Sequence, residues 1–319
     1  MIRPRLLTLT LSLLFLLGAS CHRQVPSLPP EIDYTPTTAE LQRRVSPFPP
    51  LSSAERAAAW GQEFVIGTAL ARDLDLYRAI TAFKRALILM SESEIERRTE
   101  AEYDILESYF LGQKYPETIS AFETTSLTKI SEEFPAFEDL MIMLYTSYRK
   151  MGDEERAGKV MALLEKNHPA VAQKLRLSAA IVVGDVETAE ATAEANPGYH
   201  DVALALQDFT LQKKSVQRAS AYNALLPGMG YWYVGQRTSA LTSFFLNALF
   251  IWAAVRFFET GNTAAGIITT GFEVGWYVGG IYGAGIAAQQ YNEKLFETRA
   301  QTLMMNNKLY PVLMLRYSF

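Results

Sequence analysis

The sequence predicts an all-α chain: an array of helix pairs followed by a glycine-rich pair of apolar helices embedded in a membrane. Three observations predict it. Residues 51 to 215 repeat Ala, Leu, Glu, Arg and Lys at helical spacing between short turns, whereas residues 220 to 290 hold Gly and aromatics with few charges. The N-terminus reads as an export signal ahead of a proline-rich stretch. These breaks divide the chain into a signal peptide (1–20), a tether (21–50), a helical array (51–215), a membrane module (220–300) and a tail or strand (301–319).

The array shows internal repetition. Gly67, Ala79, Phe83 and Ala86 place small residues where two antiparallel helices would cross, with an aromatic between them. Tyr148, Gly152, Asp153, Ala157 and Pro169 give a second copy, in which Tyr148 ends one helix, Gly152-Asp153 turns the chain and Pro169 stops the next helix. Tyr109, Gly112, Tyr115, Ile119 and Phe122 give a third with one extra residue in its turn, and Gly184-Asp185, Ala189, Ala193 and Pro197 a fourth with a short second helix. On these residues the segment resembles the tetratricopeptide-repeat family, which implies a solenoid whose groove binds peptide or protein segments. A generic helical bundle is the plainer alternative. Acidic residues within the array fall at helical spacings expected of solvated faces.

The N-terminus begins Met1-Ile2-Arg3-Pro4-Arg5, continues as an apolar run from Leu6 to Leu17, and reaches Gly18-Ala19-Ser20-Cys21. That run falls short of the about 20 residues needed to cross a bilayer. Small residues before the sole cysteine resemble the lipobox of bacterial lipoproteins, which implies acylation of Cys21; Gly18 departs from that pattern. A plain signal peptide or an uncleaved anchor are the other readings, and all three export the chain. With one cysteine no intramolecular disulfide is expected. Seven prolines between Pro26 and Pro50 predict an extended tether.

Between Asn223 and Gln236 one Pro and three Gly argue against a regular helix, and Pro227, Gly228, Gly230, Trp232, Tyr233 and Gly235 are expected to form a turn at a membrane interface. Thr238 to Phe258 then runs almost without charge, Glu259 to Asn262 can turn the chain, and Ala264 to Ala288 is a second apolar stretch. Gly271, Gly275, Gly279, Gly283 and Ala287 recur at four-residue spacing, so they share one helix face on which another backbone can pack, including that of a second copy. A glycine-rich loop or soluble core is the alternative. Trp232-Tyr233-Val234-Gly235 resembles the aromatic-Tyr-x-Gly element of small two-transmembrane-helix domains. Leu226 to Gly230, Tyr282-Gly283-Ala284 and Tyr291-Asn292 are similar to motifs of a group of uncharacterised bacterial repeat proteins, from which no activity follows.

Glu273 falls inside the second apolar stretch, where an ionisable group is a functional suspect. Counting outward from Gly261-Asn262 puts it level with Phe250 and about one turn from Asn247, its nearest polar candidate partner. A structural hydrogen bond or a protonated acid is the bland reading, an ion pathway the sharp one. Lys213, Lys214, Arg218, Arg237, Lys294 and Arg299 flank the module, and by the positive-inside rule its ends would face the cytoplasm. Export puts them outside. The conflict favours an outer-membrane lipoprotein facing the periplasm, and His22 lacks the Asp associated with inner-membrane retention.

Leu313, Leu315, Tyr317 and Phe319 alternate like the closing strand of an outer-membrane barrel, but no family of alternating strands precedes them. A strand or tail packed on the helix pair or on a partner is expected instead. A net charge of −4 provides no field for nucleic acid. His22, His168 and His200 lack a second ligand at metal-binding spacing, and no nucleophile or phosphate-cradling motif is present. No metal, cofactor or catalytic residue is therefore expected. The sequence points to a non-enzymatic scaffold of the cell envelope with protein partners and membrane lipid, or to a channel accessory that oligomerises through the glycine face.

Overall fold

The computed structural model describes residue 30 and residues 32–319; Cys21 and the expected export signal lie outside the described residues. The described residues are helical and contain no strand. The chain separates into two compact units, one holding 32–206 and Ala300–Phe319, the other Gln207–Arg299.

In the larger unit two short helices, α1 (Thr38–Gln42) and α2 (Ser53–Ala57), precede α3 (Ala59–Arg72) and α4 (Leu76–Leu89). There follow α5 (Ile95–Leu111), α6 (Tyr115–Glu123), α7 (Phe137–Lys150), α8 (Glu154–Asn167), α9 (Pro169–Val183) and α10 (Val186–Glu194). Each packs mainly on its neighbours in sequence, and α5 also meets α7. The first pair shows why small residues are needed. A Cβ added to Gly67 would lie 2.8 Å from the Phe83 ring, and Ala79, Phe83 and Ala86 are fully buried beside it.

The four pairs α3–α4, α5–α6, α7–α8 and α9–α10 turn in the same way. A left-handed residue stands at Leu74, Gln113, Gly152 and Gly184, with φ of 61°, 56°, 73° and 75°. In each case the next residue's N–H reaches back 2.9 Å to a carbonyl of the preceding helix: Asp75 to Leu70, Lys114 to Tyr109, Asp153 to Tyr148 and Asp185 to Ala180. This closure satisfies carbonyls that the helix end leaves open. Asp75, Asp153 and Asp185 then cap the following helix by accepting from the N–H three residues on. The expected extra residue in the third turn is absent. Gln113 takes the left-handed place that Gly152 holds, so glycine alone did not mark the turn.

Two further expectations are corrected. The proline-rich stretch is not extended free chain throughout, because Ile32 and Leu41 are buried, Phe48 packs on Tyr103 and Phe134, and Arg97 donates to the carbonyls of Pro49 and Pro50. Nor are all the acids solvated. Glu100, Asp104 and Glu107 occupy one buried face of α5, and Asp139 is buried on α7.

The chain continues through α11 (His200–Gln212) into the second unit, with α12 (Val216–Leu225), α13 (Met229–Val234) and α14 (Arg237–Glu259). A tight turn, with Gly261 at φ 79°, leads into α15 (Thr263–Asn306), 44 residues and about 66 Å long. Its last residues, from Ala300, belong to the larger unit, followed by α16 (Pro311–Met314) and an extended segment to Phe319. Among the described residues α14 is the one helix long and apolar enough to cross a membrane, and little of it is buried. The second expected span, 264–288, falls short, because glycines, Thr269, Thr270 and Glu273 dilute its apolar residues.

Candidate functional site

The glycine-rich module is built around the passage from α12 to α14. Asn223 is buried at the end of α12, and its Oδ1 accepts from the Gly228 N–H at 2.9 Å. This fixes the Leu226-Pro227-Gly228 turn. Gly228 has φ 91°, and a Cβ there would lie 2.2 Å from the Ala240 carbonyl oxygen. The segment 223–236 is more helical than expected: left-handed glycines at 228 and 235 bracket the six residues of α13. Helix is tolerated because the two left-handed glycines stand at the ends of α13, Gly228 before it and Gly235 after it, rather than inside it.

Within α13, Gly230 is the contact point. Its added Cβ would meet the Ala219 carbonyl oxygen at 2.2 Å and the Ala284 Cβ at 2.7 Å, so α12, α13 and α15 converge there without a side chain. Tyr231 sets its hydroxyl where a Cβ of Gly283 would stand. Tyr233 accepts from the Ser215 N–H at 3.1 Å, and Lys214 stands over the rings of Tyr233 and Tyr291. Asn292 closes the arrangement: its amide accepts from the Lys214 N–H and donates to the Lys214 carbonyl, both at 2.8 Å. The three motif pieces around 226–230, 282–284 and 291–292 therefore meet in one place. Trp232, by contrast, stays half exposed beside Arg237.

The glycine face of α15 divides in two. Ala287 is buried with Ala219, Val234 and Ala288, and Gly283 meets Tyr231. Gly271, Gly275 and Gly279 are exposed, and a Cβ on any of them would touch nothing within 4 Å. Their expected packing has no counterpart among the described residues. Close approach falls instead on Gly280, near Asn223, and Gly285, against Ser220, neither of which belongs to the four-residue series. The series marks a shared face, but spacing does not say which face turns inward.

Glu273 and Asn247 are both buried, at 8% and 2% exposure, yet they do not hydrogen-bond to each other. The Asn247 amide donates to the Ser243 carbonyl at 2.6 Å, and its Oδ1 has no donor. Both Glu273 oxygens are likewise without a donor among the described residues. The turn sets this register, since Gly266 abuts Phe258 and Gly280 approaches Ser243, which leaves Glu273 level with Phe250.

In the larger unit, sequence reasoning missed a polar cluster on the segment 310–319. Asp139 Oδ2 accepts from the N–H groups of Arg316 and Tyr317, each at 2.9 Å, and Glu138 pairs with the Arg316 side chain at 3.0 Å. Arg72 donates twice to the Phe319 main-chain oxygen, at 2.9 and 2.7 Å, while the Phe319 ring stacks on Phe83. Burial pushes the Asp139 carboxyl up to about 6, against the two N–H groups that lower it. Burial, then repulsion from Asp139, holds Glu107 well above the usual carboxylate range, partly offset by Arg44. The available signal was the spacing of Glu100, Asp104 and Glu107, which shares a face with apolar Ala101 and Leu111.

Among the described residues no group of three or more His, Cys, Asp or Glu is placed to hold a metal ion. No family model, curated protein or solved structure matches the chain.

Proposed function

We propose that this chain is a non-enzymatic scaffold of a bacterial cell envelope, held at a membrane by its glycine-rich module and binding protein partners through tetratricopeptide-like repeats. The observation that carries the partner-binding part is the recurrence of one left-handed turn in four consecutive helix pairs, at Leu74, Gln113, Gly152 and Gly184. Stacked pairs of this kind expose long continuous faces suited to extended partners. The membrane part is supported by α14, whose Phe245, Leu249 and Trp252 are more than half exposed. Leaving that surface in water would favour aggregation, whereas lipid covers it without cost. In this reading α14 and the apolar part of α15 form a hairpin in the bilayer, Cys21 carries the lipid, and the repeats face the periplasm from the outer membrane.

Fractionation of cells expressing the full chain, combined with cross-linking from exposed array positions such as Tyr77, tests the proposal. Recovery in the envelope, with a cross-linked product that is lost on deleting 51–206, is expected. A full-length product in the soluble cytosolic fraction overturns it.

A second reading, a channel or transport accessory oligomerising through the glycine-faced hairpin, draws on the buried and unpaired oxygens of Glu273 and Asn247. Glu273→Gln separates the two: lost ion or solute flux with intact partner capture favours the channel, and unchanged flux favours the scaffold.

A further inference from the structure

The segment 310–319 lies in the larger unit as a ligand lies in a binding cleft. It has no strand partner; its main chain is held by side chains. Arg44 donates to the Val312 carbonyl at 2.9 Å, Asp139 accepts from Arg316 and Tyr317, and Arg72 grips the main-chain oxygen of Phe319. One backbone contact, from Ser318 N–H to the Val45 carbonyl at 3.2 Å, completes the set. Side chains that read a main chain hold any segment of the right conformation, and selectivity then rests on the pockets for its side chains. Here those pockets bury Leu315 and Phe319, at 4% and 3% exposure, and stack Tyr310 on Tyr34.

The fit is incomplete. The Tyr103 hydroxyl, both oxygens of Glu107, Oδ1 of Asp139, Nη1 of Arg44 and the Ser318 hydroxyl are all buried without a hydrogen-bond partner. Tyr103, Glu107, Asp139 and Arg44 lie close enough to perturb one another electrostatically, so these orphaned atoms form one neighbourhood around Asp139, beside the segment. Buried polar atoms left open cost free energy that a better-matched occupant would recover. The Ser318 hydroxyl donates to neither acid. An occupant with an amide or a cationic side chain in its place could donate to Glu107 and Asp139 at once.

We propose that this cleft is a docking site for an extended polypeptide segment with an aromatic anchor and a hydrogen-bond-donating residue before it, that residues 315–319 fill it in cis, and that a partner's segment displaces them. The proposal rests on the partner-binding reading and names the chemistry of the partner. The cis segment acts as a tethered competitor, so partner affinity is reduced by the fraction of time the cleft is filled.

The test uses the full chain in detergent with a specific protease site inserted at the exposed turn around Lys308. After cleavage, a labelled peptide of residues 309–319 with a C-terminal amide is added, alone or against two competitors carrying Phe319→Ala or Ser318→Lys. The labelled peptide is expected to enter the nicked chain readily and the intact chain at least roughly tenfold more weakly; the Ala competitor should be about tenfold poorer than the parent and the Lys competitor better. In the intact chain the Arg316 and Tyr317 amides should exchange hydrogen faster than those of α7, which reports opening without unfolding. Equal entry into nicked and intact chains, equal competition by the Ala peptide, or Arg316 and Tyr317 exchange only on global unfolding would each overturn the proposal. The peptide assay needs no cellular partner and no membrane address, so its failure is distinguishable from failure of the scaffold reading.

Discussion

Asp139→Asn separates the electrostatic cost of the buried acid from its role as an acceptor. Asp139 is 1% exposed, one of its oxygens holds two main-chain N–H groups and the other has none. Its carboxyl is raised from 3.8 to about 6 in the folded chain, so between those values the folded state binds the proton more tightly than the unfolded state. Stability from this group is therefore fully present below pH 3.8 and is lost as pH rises through 6. A shift of two units corresponds to about 3 kcal/mol. Asparagine keeps an oxygen for Arg316 and Tyr317 but has no charge to desolvate, at the expense of about 1 kcal/mol from weaker hydrogen bonds. The variant should thus match or fall slightly below the parent at pH 4 and exceed it by about 2 kcal/mol at pH 7.5. Urea titrations in detergent, followed by hydrogen exchange of α7 amides at several pH values, provide the readout. Parallel stability curves for the two proteins across that range would refute the reasoning.

Three other substitutions probe the backbone. Gln113→Gly relieves a left-handed residue whose side chain is exposed, and should raise the urea midpoint of the larger unit by about 1 kcal/mol equivalent. Gly230→Ala drives a methyl into the Ala219 carbonyl and the Ala284 side chain, neither of which can yield without moving a helix; a loss of roughly 3 kcal/mol or more, or failure to accumulate in membranes, is expected. Gly275→Ala meets open space and should leave the monomer as stable or more so, gaining up to about 1 kcal/mol of helix propensity. If that glycine face packs on a second copy, the same change lowers the yield of cross-linked dimer without lowering the melting temperature of the monomer.

What the sequence made legible follows a pattern. Positions where chemistry is local could be read: Gly152-Asp153 and Gly184-Asp185 mark turns, and Ala79, Phe83 and Gly67 mark a crossing. The turn at Gln113 was not legible as such, because tertiary packing can hold an ordinary residue at positive φ and no composition signal announces it. Asp139 and Glu107 were illegible for a different reason. An acid on a helix is as easily a solvated residue as a buried one, and only the return of residues 310–319, far along the chain, decides which. The same return holds the start of the described chain, since Tyr34 stacks on Tyr310 and Arg44 reaches Val312, whereas Pro49 and Pro50 are held by Arg97.

The glycines of α15 show how a periodic signal can be right about a helix and silent about its neighbour. Four-residue spacing fixes Gly271, Gly275 and Gly279 on a common face whatever surrounds them. The close approaches of α15 to its neighbours fall instead at Gly280, Gly283 and Gly285, because Asn223 must reach Gly228 to hold the Pro227 turn and Gly230 must admit Ala284. Those constraints rotate α15 so that the more regular glycine series faces outward over its first half. In lipid, an outward row of glycines exposes backbone that a tightly packed neighbour would cover, and no such neighbour stands against it among the described residues. Gly230, Gly280 and Gly285 thus take close contacts together with Gly283, while Gly271, Gly275 and Gly279 of the regular series stay open among the described residues.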